Sequence, residues 1–161
     1  MDKKSSSLFS GLFDAYQEIG SSLENNLRES GQIHLTRTQI IILISIINGL
    51  SRGSQLAKAM GISRQAVQQQ LDDLIESNIL TKKPDSGDKR ANKIVFTHNG
   101  KQVANLIQTA SAQIEKDLSD AVGQENFRVL LKLLALNWNK ATKLDPIEQV
   151  VIPKFNSEAT K

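Results

Sequence analysis

The chain has 161 residues and a mass of 17.8 kDa, room for one hydrophobic core and hardly two. Its 39% hydrophobic residues and nine glycines are those of an ordinary globular chain, while the absence of cysteine excludes a disulfide framework, a thiolate metal site and a nucleophilic thiol, and fits a reducing cytoplasm. A net charge of +3 and a pI near 9.2 suit a polyanionic partner without demanding one.

Lys3 and Lys4 precede an apolar stretch that Ser10, Gly11 and Asp14 break up, too short and too polar for a secretory signal. The longest apolar run, residues 40–47, is interrupted by Ser45 and falls far short of the roughly 20 residues a membrane helix needs. A cytoplasmic protein with no membrane segment is expected.

From Leu8 the residues Leu8, Phe9, Leu12, Phe13, Tyr16, Ile19, Leu23 and Leu27 recur at spacings of three and four, which predicts a first amphipathic helix to about Arg28, ended by Gly31. Thr36 and Gln39 have the spacing of a capping box and open a second helix over 36–48. Its isoleucine run also suits a buried strand, but the cap and Asn48-Gly49 select the helix.

Residues 53–80 carry two short helical patterns around a tight break. Ser54 is expected to cap the first, Gly61 to take the turn, and Ser63 to cap the second, whose Val67, Leu71, Leu74 and Ile75 share one face. Asn78 suits a left-handed closing residue. Ala57 must be small where the helices approach, and Ile62 and Val67 are expected to lock the second helix onto the first. Two helices joined by a few residues with glycine in the turn make a helix-turn-helix.

Two β-prone stretches, 79–83 and 93–97, flank PDSGDKRAN and predict a hairpin, or wing. Thr97 then caps a long helix through Val103, Leu106, Ile107, Ala110, Ile114 and Leu118, which Gly123 breaks. A last helix is predicted over 125–142, with Phe127, Leu130, Leu131, Leu134 and Trp138 on one face and Val129, Leu133 and Leu136 outside that stripe. A terminal helix so apolar needs cover on two sides, which predicts a dimer interface built from the first and last two helices. From Asp145, Pro146 and Pro153 rule out continuous helix, while Val150, Val151, Ile152 and Phe155 suggest a tail that packs.

No phosphate-cradling glycine loop, zinc-protease HExxH motif or nucleophile elbow occurs, and His34 and His98 stand in different segments as polar loop or cap residues. Neither catalysis, nor a metal site, nor a cofactor is expected. The charge distribution is more informative. Residues 51–101 hold nine lysines and arginines against five acids, an excess of +4, whereas 1–50 carry −1 and 102–161 are neutral. Within that segment Lys82, Lys83, Lys89, Arg90, Lys93 and Lys101 outnumber Asp85 and Asp88, which gives a wing suited to phosphates and groove edges. On the second helix of the motif, the face opposite Val67, Leu71 and Leu74 presents Arg64, Gln65, Gln68, Gln69 and Asp72. Glutamine pairs bidentately with adenine and arginine with guanine, so this face has the chemistry of a base reader; 4% aromatic residues argue against stacking of single strands.

The order of elements, the Thr36 and Gln39 opening, Leu56-Ala57, Met60-Gly61-Ile62, Val67, Leu71 and Leu74, and above all GDKRAN followed by IVFTHNG, resemble the MarR family of multiple antibiotic resistance regulators. The resemblance spans about residues 8–144. It implies a mainly α fold: a winged helix-turn-helix with a two-stranded β wing, and long terminal helices that form a dimer interface. One domain is expected, with a DNA-binding part at 36–98 (helix-turn-helix 54–77, wing 79–97), dimerisation helices at 8–30 and 99–144, and a tail at 145–161. The resemblance further implies that Ser63, Arg64, Gln65, Gln68 and Gln69 lie near bases or phosphates of the major groove, and that Asp88, beside Lys89, braces Arg90 in the minor groove. Asn78 stands where the family usually has glycine and His98 where proline is frequent; neither threatens the fold.

The expected function is that of a homodimeric regulator of transcription, a repressor that binds a pseudo-palindromic operator in double-stranded DNA and is relieved by a small-molecule effector the sequence does not name. The alternative is a winged-helix protein-interaction module without DNA binding.

Overall fold

The computed structural model describes residues 7–30, 34–84 and 92–136. Gly31, residues 85–91 with Asp88, Lys89 and Arg90, Trp138 and residues 145–161 lie outside them. Six helices and two strands follow in the order α1 (Leu8–Glu29), α2 (Arg37–Ile47), α3 (Gly53–Met60), α4 (Arg64–Glu76), β1 (Leu80–Pro84), β2 (Asn92–Phe96), α5 (His98–Val122) and α6 (Gln124–Leu134). The chain divides into two compact units, Met1–Ala121 and Val122–Lys161.

Local chemistry sets most boundaries. The Thr36 hydroxyl accepts from the Gln39 amide (3.3 Å) while the Gln39 side chain accepts from the Thr36 amide (3.0 Å), the reciprocal box expected at the start of α2. In α2, Ile42 and Leu43 are wholly enclosed and Ile40 and Ile46 nearly so. A β-branched residue costs a helix less than about 0.7 kcal/mol, whereas burying its side chain contributes about 1.5–3 kcal/mol, so burial makes a helix of this strand-like run. Around this helix the core gathers Leu23 and Leu27 of α1, Leu56 and Ala57 of α3, Val67, Leu71 and Leu74 of α4, Ile79, Leu80 and Ile94 of the wing base, and Val103 and Ile107 of α5.

Arg37, at the first position of α2, ties α1 to this core. Its guanidinium donates to the Glu24 carboxylate, the Gln17 side chain and the Ser21 hydroxyl, and lies 5.4 Å from the centroid of the Tyr16 ring.

Three expectations need correction. Ser54 does not cap α3. The Gln55 side chain accepts from the Ser51 and Arg52 amides (3.2 and 3.1 Å), so the helix starts two residues earlier with Arg52 as its cap, and Ser54 lies in the first turn. Ile62 does not lock α4 onto α3: it is 38% exposed, and Val67 alone of that pair is buried. The last helix, expected over 125–142, ends at Leu134, and residues 137–142 lie outside the described ones; the Leu136 amide donates to the Leu133 carbonyl (3.1 Å), which closes the final turn in a tighter i to i−3 bond. The strands sit within one residue of their expected positions and pair antiparallel from Leu80 opposite Phe96 to Pro84 opposite Asn92.

Gly61 has φ 66° and ψ 25°, and Asn78 has φ 55°. A Cβ at Gly61 would meet no atom within 4 Å, so any substitution there is penalised by the backbone angle alone. Gly61→Val should therefore lower stability by about 2 kcal/mol, and Gly61→Asn by much less, because asparagine tolerates the left-handed region. Urea unfolding checks this, and equal midpoints for valine and glycine would contradict the turn.

No helix among the described residues is long and apolar enough to cross a membrane. In α6 no residue is buried, and Val129, Leu130, Leu131, Leu133 and Leu134 are each more than 40% exposed. The N-terminal two thirds of α1 are similar: Leu8, Phe9, Leu12, Phe13, Tyr16 and Ile19 are all exposed, and only Leu23 and Leu27 reach the core.

Candidate nucleic-acid interface

Helix α4 owes its orientation to its apolar side. Val67, Leu71 and Leu74 are at most 1% exposed, so the 3.6-residue period turns Arg64, Gln65, Gln68, Gln69 and Asp72 to solvent, and all five are exposed. Ser63 caps the helix, its hydroxyl accepting from the Ala66 amide (3.1 Å), and is exposed as well. Five of the eight expected site residues, Ser63, Arg64, Gln65, Gln68 and Gln69, thus lie along the free side of one helix. Asp88, Lys89 and Arg90 fall outside the described residues.

The third residue of the glutamine run behaves differently. Gln70 is half-buried, and its side-chain oxygen accepts from the Thr36 hydroxyl (3.4 Å), which links α4 to the start of α2. Gln68 donates from Nε2 to Asp72 Oδ1 (2.7 Å), and Lys82 of β1 approaches the same carboxylate oxygen at 3.4 Å. Such tertiary links are invisible to periodicity; only the i, i+4 spacing of Gln68 and Asp72 signals one of them.

The wing is anchored at its base by a compact network. Asn78, left-handed, ends the turn after α4. The Thr97 hydroxyl donates to the Asn78 carbonyl (2.7 Å) and accepts from the Gly100 amide (2.9 Å), while the Thr97 amide donates to the Ile79 carbonyl (3.0 Å). One threonine therefore joins the end of α4, the start of β1 and the start of α5. Along the strands Lys83 stands opposite Lys93, and Lys82 and Lys83 are exposed, which concentrates positive charge on the hairpin. An exposed amide-rich helix beside a cationic hairpin presents donors and acceptors for base edges together with charge for phosphates.

Residues 35–91 match the family model of the MarR family. Among solved structures, the chain is similar to the reduced form of MarR from E. coli (20% identity, TM-score 0.67, covering 87% of this chain and 99% of that one). It is similar also to the transcriptional repressor CouR bound to a 23-mer DNA duplex (20%, 0.65, 84% and 94%). A third is BpsR of Bordetella bronchiseptica, whose DNA binding is regulated by 6-hydroxynicotinic acid (19%, 0.63, 90% and 99%). The matched segment takes in α2 to β1, and so the helix-turn-helix and the first strand of the wing. Over that segment the chain is similar to the MarR family, and its fold is the winged helix-turn-helix of these solved structures.

Proposed function

We propose that the protein is a transcriptional regulator that binds double-stranded DNA as a homodimer, with α4 of each protomer in the major groove and the wing along the adjacent minor groove. The observation that carries this is the free side of α4: Arg64, Gln65, Gln68 and Gln69 exposed in one row, backed by a helix buried through Val67, Leu71 and Leu74. Two such helices related by a dimer axis read a pseudo-palindrome with half-sites about 10 base pairs apart. Ser63 and Arg64 at the helix start, and Lys89 and Arg90 in the wing with Asp88 bracing Arg90, complete the proposed contacts. Residues 36–98 are the DNA-binding part of a single domain; 8–30 and 99–144 supply the dimerisation helices. The chemistry proposed is binding alone.

The proposed action is repression relieved by a small molecule, which prefers a spacing of the two motifs that the operator does not fit and so shifts the population away from DNA. A cavity of about 250 Å³ between α1 and α2, lined by Tyr16, Ile19, Leu23, Arg37, Ile40 and Ile44, supports this. It exceeds the roughly 150 Å³ that accommodates a benzene ring.

Selection of duplexes from a random library tests the reading. Gln68→Ala and Gln69→Ala should each relax preference at particular base pairs by about 1–3 kcal/mol, whereas Arg90→Ala weakens binding with a modest loss of base preference. Base profiles identical to that of the unaltered protein would refute the assignment, and failure to select any duplex at low salt would favour a protein-docking winged helix instead.

A further inference from the structure

On the exposed face of α4 the side chains of Gln68 and Asp72 are hydrogen-bonded to each other. Asp72 Oδ1 accepts from Gln68 Nε2 at 2.7 Å, one helical turn earlier, and is approached by Lys82 Nζ at 3.4 Å from the first wing strand. Both side chains of the ion pair are largely in water, 43% and 57% exposed, so the pair contributes little to folding stability. Its consequence is geometric. A glutamine amide is free to rotate by half a turn, which exchanges its donor and acceptor ends. A carboxylate accepts and never donates, so only the orientation with the nitrogen toward Asp72 makes this bond.

We propose that Asp72 is a positioning residue for sequence readout: with Lys82 holding its carboxylate, it fixes the Gln68 amide so that the carbonyl oxygen and the second N–H point outward as an oriented pair. That pair matches adenine, whose N6–H donates and whose N7 accepts. Gln68 thereby selects an A·T pair in each half-site without first losing the freedom of its terminal torsion, and the wing strand takes part in base selection without touching the base. Gln69, its neighbour, has no such tether in the described contacts of Asp72 and contributes adaptable contacts instead. This inference rests on the proposed placement of α4 in the major groove.

The Asp72 carboxylate also repels phosphates, so removing it has two effects that must be separated. Asp72→Ala removes both the charge and the acceptor; Asp72→Asn removes the charge and leaves an amide that can accept from Gln68 or donate to it, so it holds Gln68 without fixing its orientation. Binding of the full-length protein and these variants is measured to a selected operator and to duplexes substituted at every base pair of one half-site. Both variants should bind all sequences more tightly than the unaltered protein by a similar factor. Asp72→Ala should flatten discrimination at one base pair, the one that Gln68→Ala also flattens, from roughly 5- to 150-fold to near unity, and Asp72→Asn should lower it at the same base pair part of the way. The Gln68→Ala, Asp72→Ala double variant should discriminate there no worse than Gln68→Ala, because the two residues act as a unit.

An unchanged base profile for Asp72→Ala overturns the inference while leaving the DNA reading intact, as does a loss at a base pair that Gln68→Ala does not affect. Absence of duplex binding by the unaltered protein overturns the DNA reading, and this inference with it. Thermal melting keeps the comparison sound: an exposed ion pair predicts nearly the same Tm for all three proteins.

Discussion

Gly100→Ala lowers the stability of the folded chain by about 3 kcal/mol or more, a fall in Tm of roughly 6–12 °C for a domain of this size. Gly100 lies in the first turn of α5 and is buried, and a Cβ there would stand 1.8 Å from the Ile79 carbonyl oxygen, 2.8 Å from the carbonyl carbon and 3.2 Å from the Phe96 ring. The first two are backbone atoms that cannot step aside. Ile79 is held by its own amide on the Leu74 carbonyl (2.9 Å) and by the Thr97 amide on its oxygen, so relief of the clash must separate α5 from the junction of α4 and β1. Local propensity predicts the opposite sign, since alanine is favoured over glycine in a helix by about 1 kcal/mol. Gly11→Ala, in α1 with open space around the added carbon, shows that favourable effect undisturbed. Thermal melting of the two variants thus separates tertiary contact from propensity: a raised Tm for Gly100→Ala contradicts the packing described here.

If the protein is the proposed homodimer, replacing Phe9 and Phe13 together by aspartate leaves it monomeric without altering its helical content. Phe9 is 84% and Phe13 62% exposed in the single chain, so neither stabilises the protomer appreciably. With Leu8, Leu12, Tyr16 and Ile19 they leave most of α1 as an uncovered apolar surface, and contiguous patches of this kind mark association surfaces. A phenylalanine buried at an interface contributes about 1.5–3 kcal/mol, and a symmetric dimer loses four of them. The sum, about 6–12 kcal/mol before the burial of charge is considered, raises the dissociation constant by at least about four powers of ten. Sedimentation equilibrium reads the outcome directly. An unaltered protein that sediments at 17.8 kDa, or a dimer that survives the double substitution, contradicts the assignment of α1 to the interface.

Much of the local structure was legible because it is written in single residues with specific chemistry. Thr36 with Gln39, Ser63, Gly61, Asn78 and Thr97 each supply a cap, a left-handed angle or a turn that few other residues supply, and each stands where the sequence placed it. The exposed face of α4 followed from the period of Val67, Leu71 and Leu74. Two errors came from rules applied to the wrong neighbour: Gln55, with its longer amide, reaches two backbone donors that a serine at 54 does not, and Ile62, apolar but placed in the turn, stays 38% exposed while Val67 and Ala57 are buried. The end of α6 was illegible for a different reason. Helical periodicity continues past Leu134 with no glycine or proline before Pro146, so no residue announces the stop. What local pattern cannot carry at all is contact between distant segments: Arg37 on α1, Thr36 on Gln70, Lys82 on Asp72, and Gly100 against Ile79. The last three link α4, the wing and the start of α5 to their neighbours, so the site's residues were readable and its surroundings were not.

The central claim, that the exposed side of α4 and the cationic wing together bind duplex DNA, is tested most directly by titrating salt against binding of a selected operator. With six to ten phosphates neutralised by the dimer, log affinity falls linearly with log salt concentration, by about 10³- to 10⁵-fold between 50 and 200 mM. Binding that is undetectable at the lowest salt, or that does not change across that range, contradicts it.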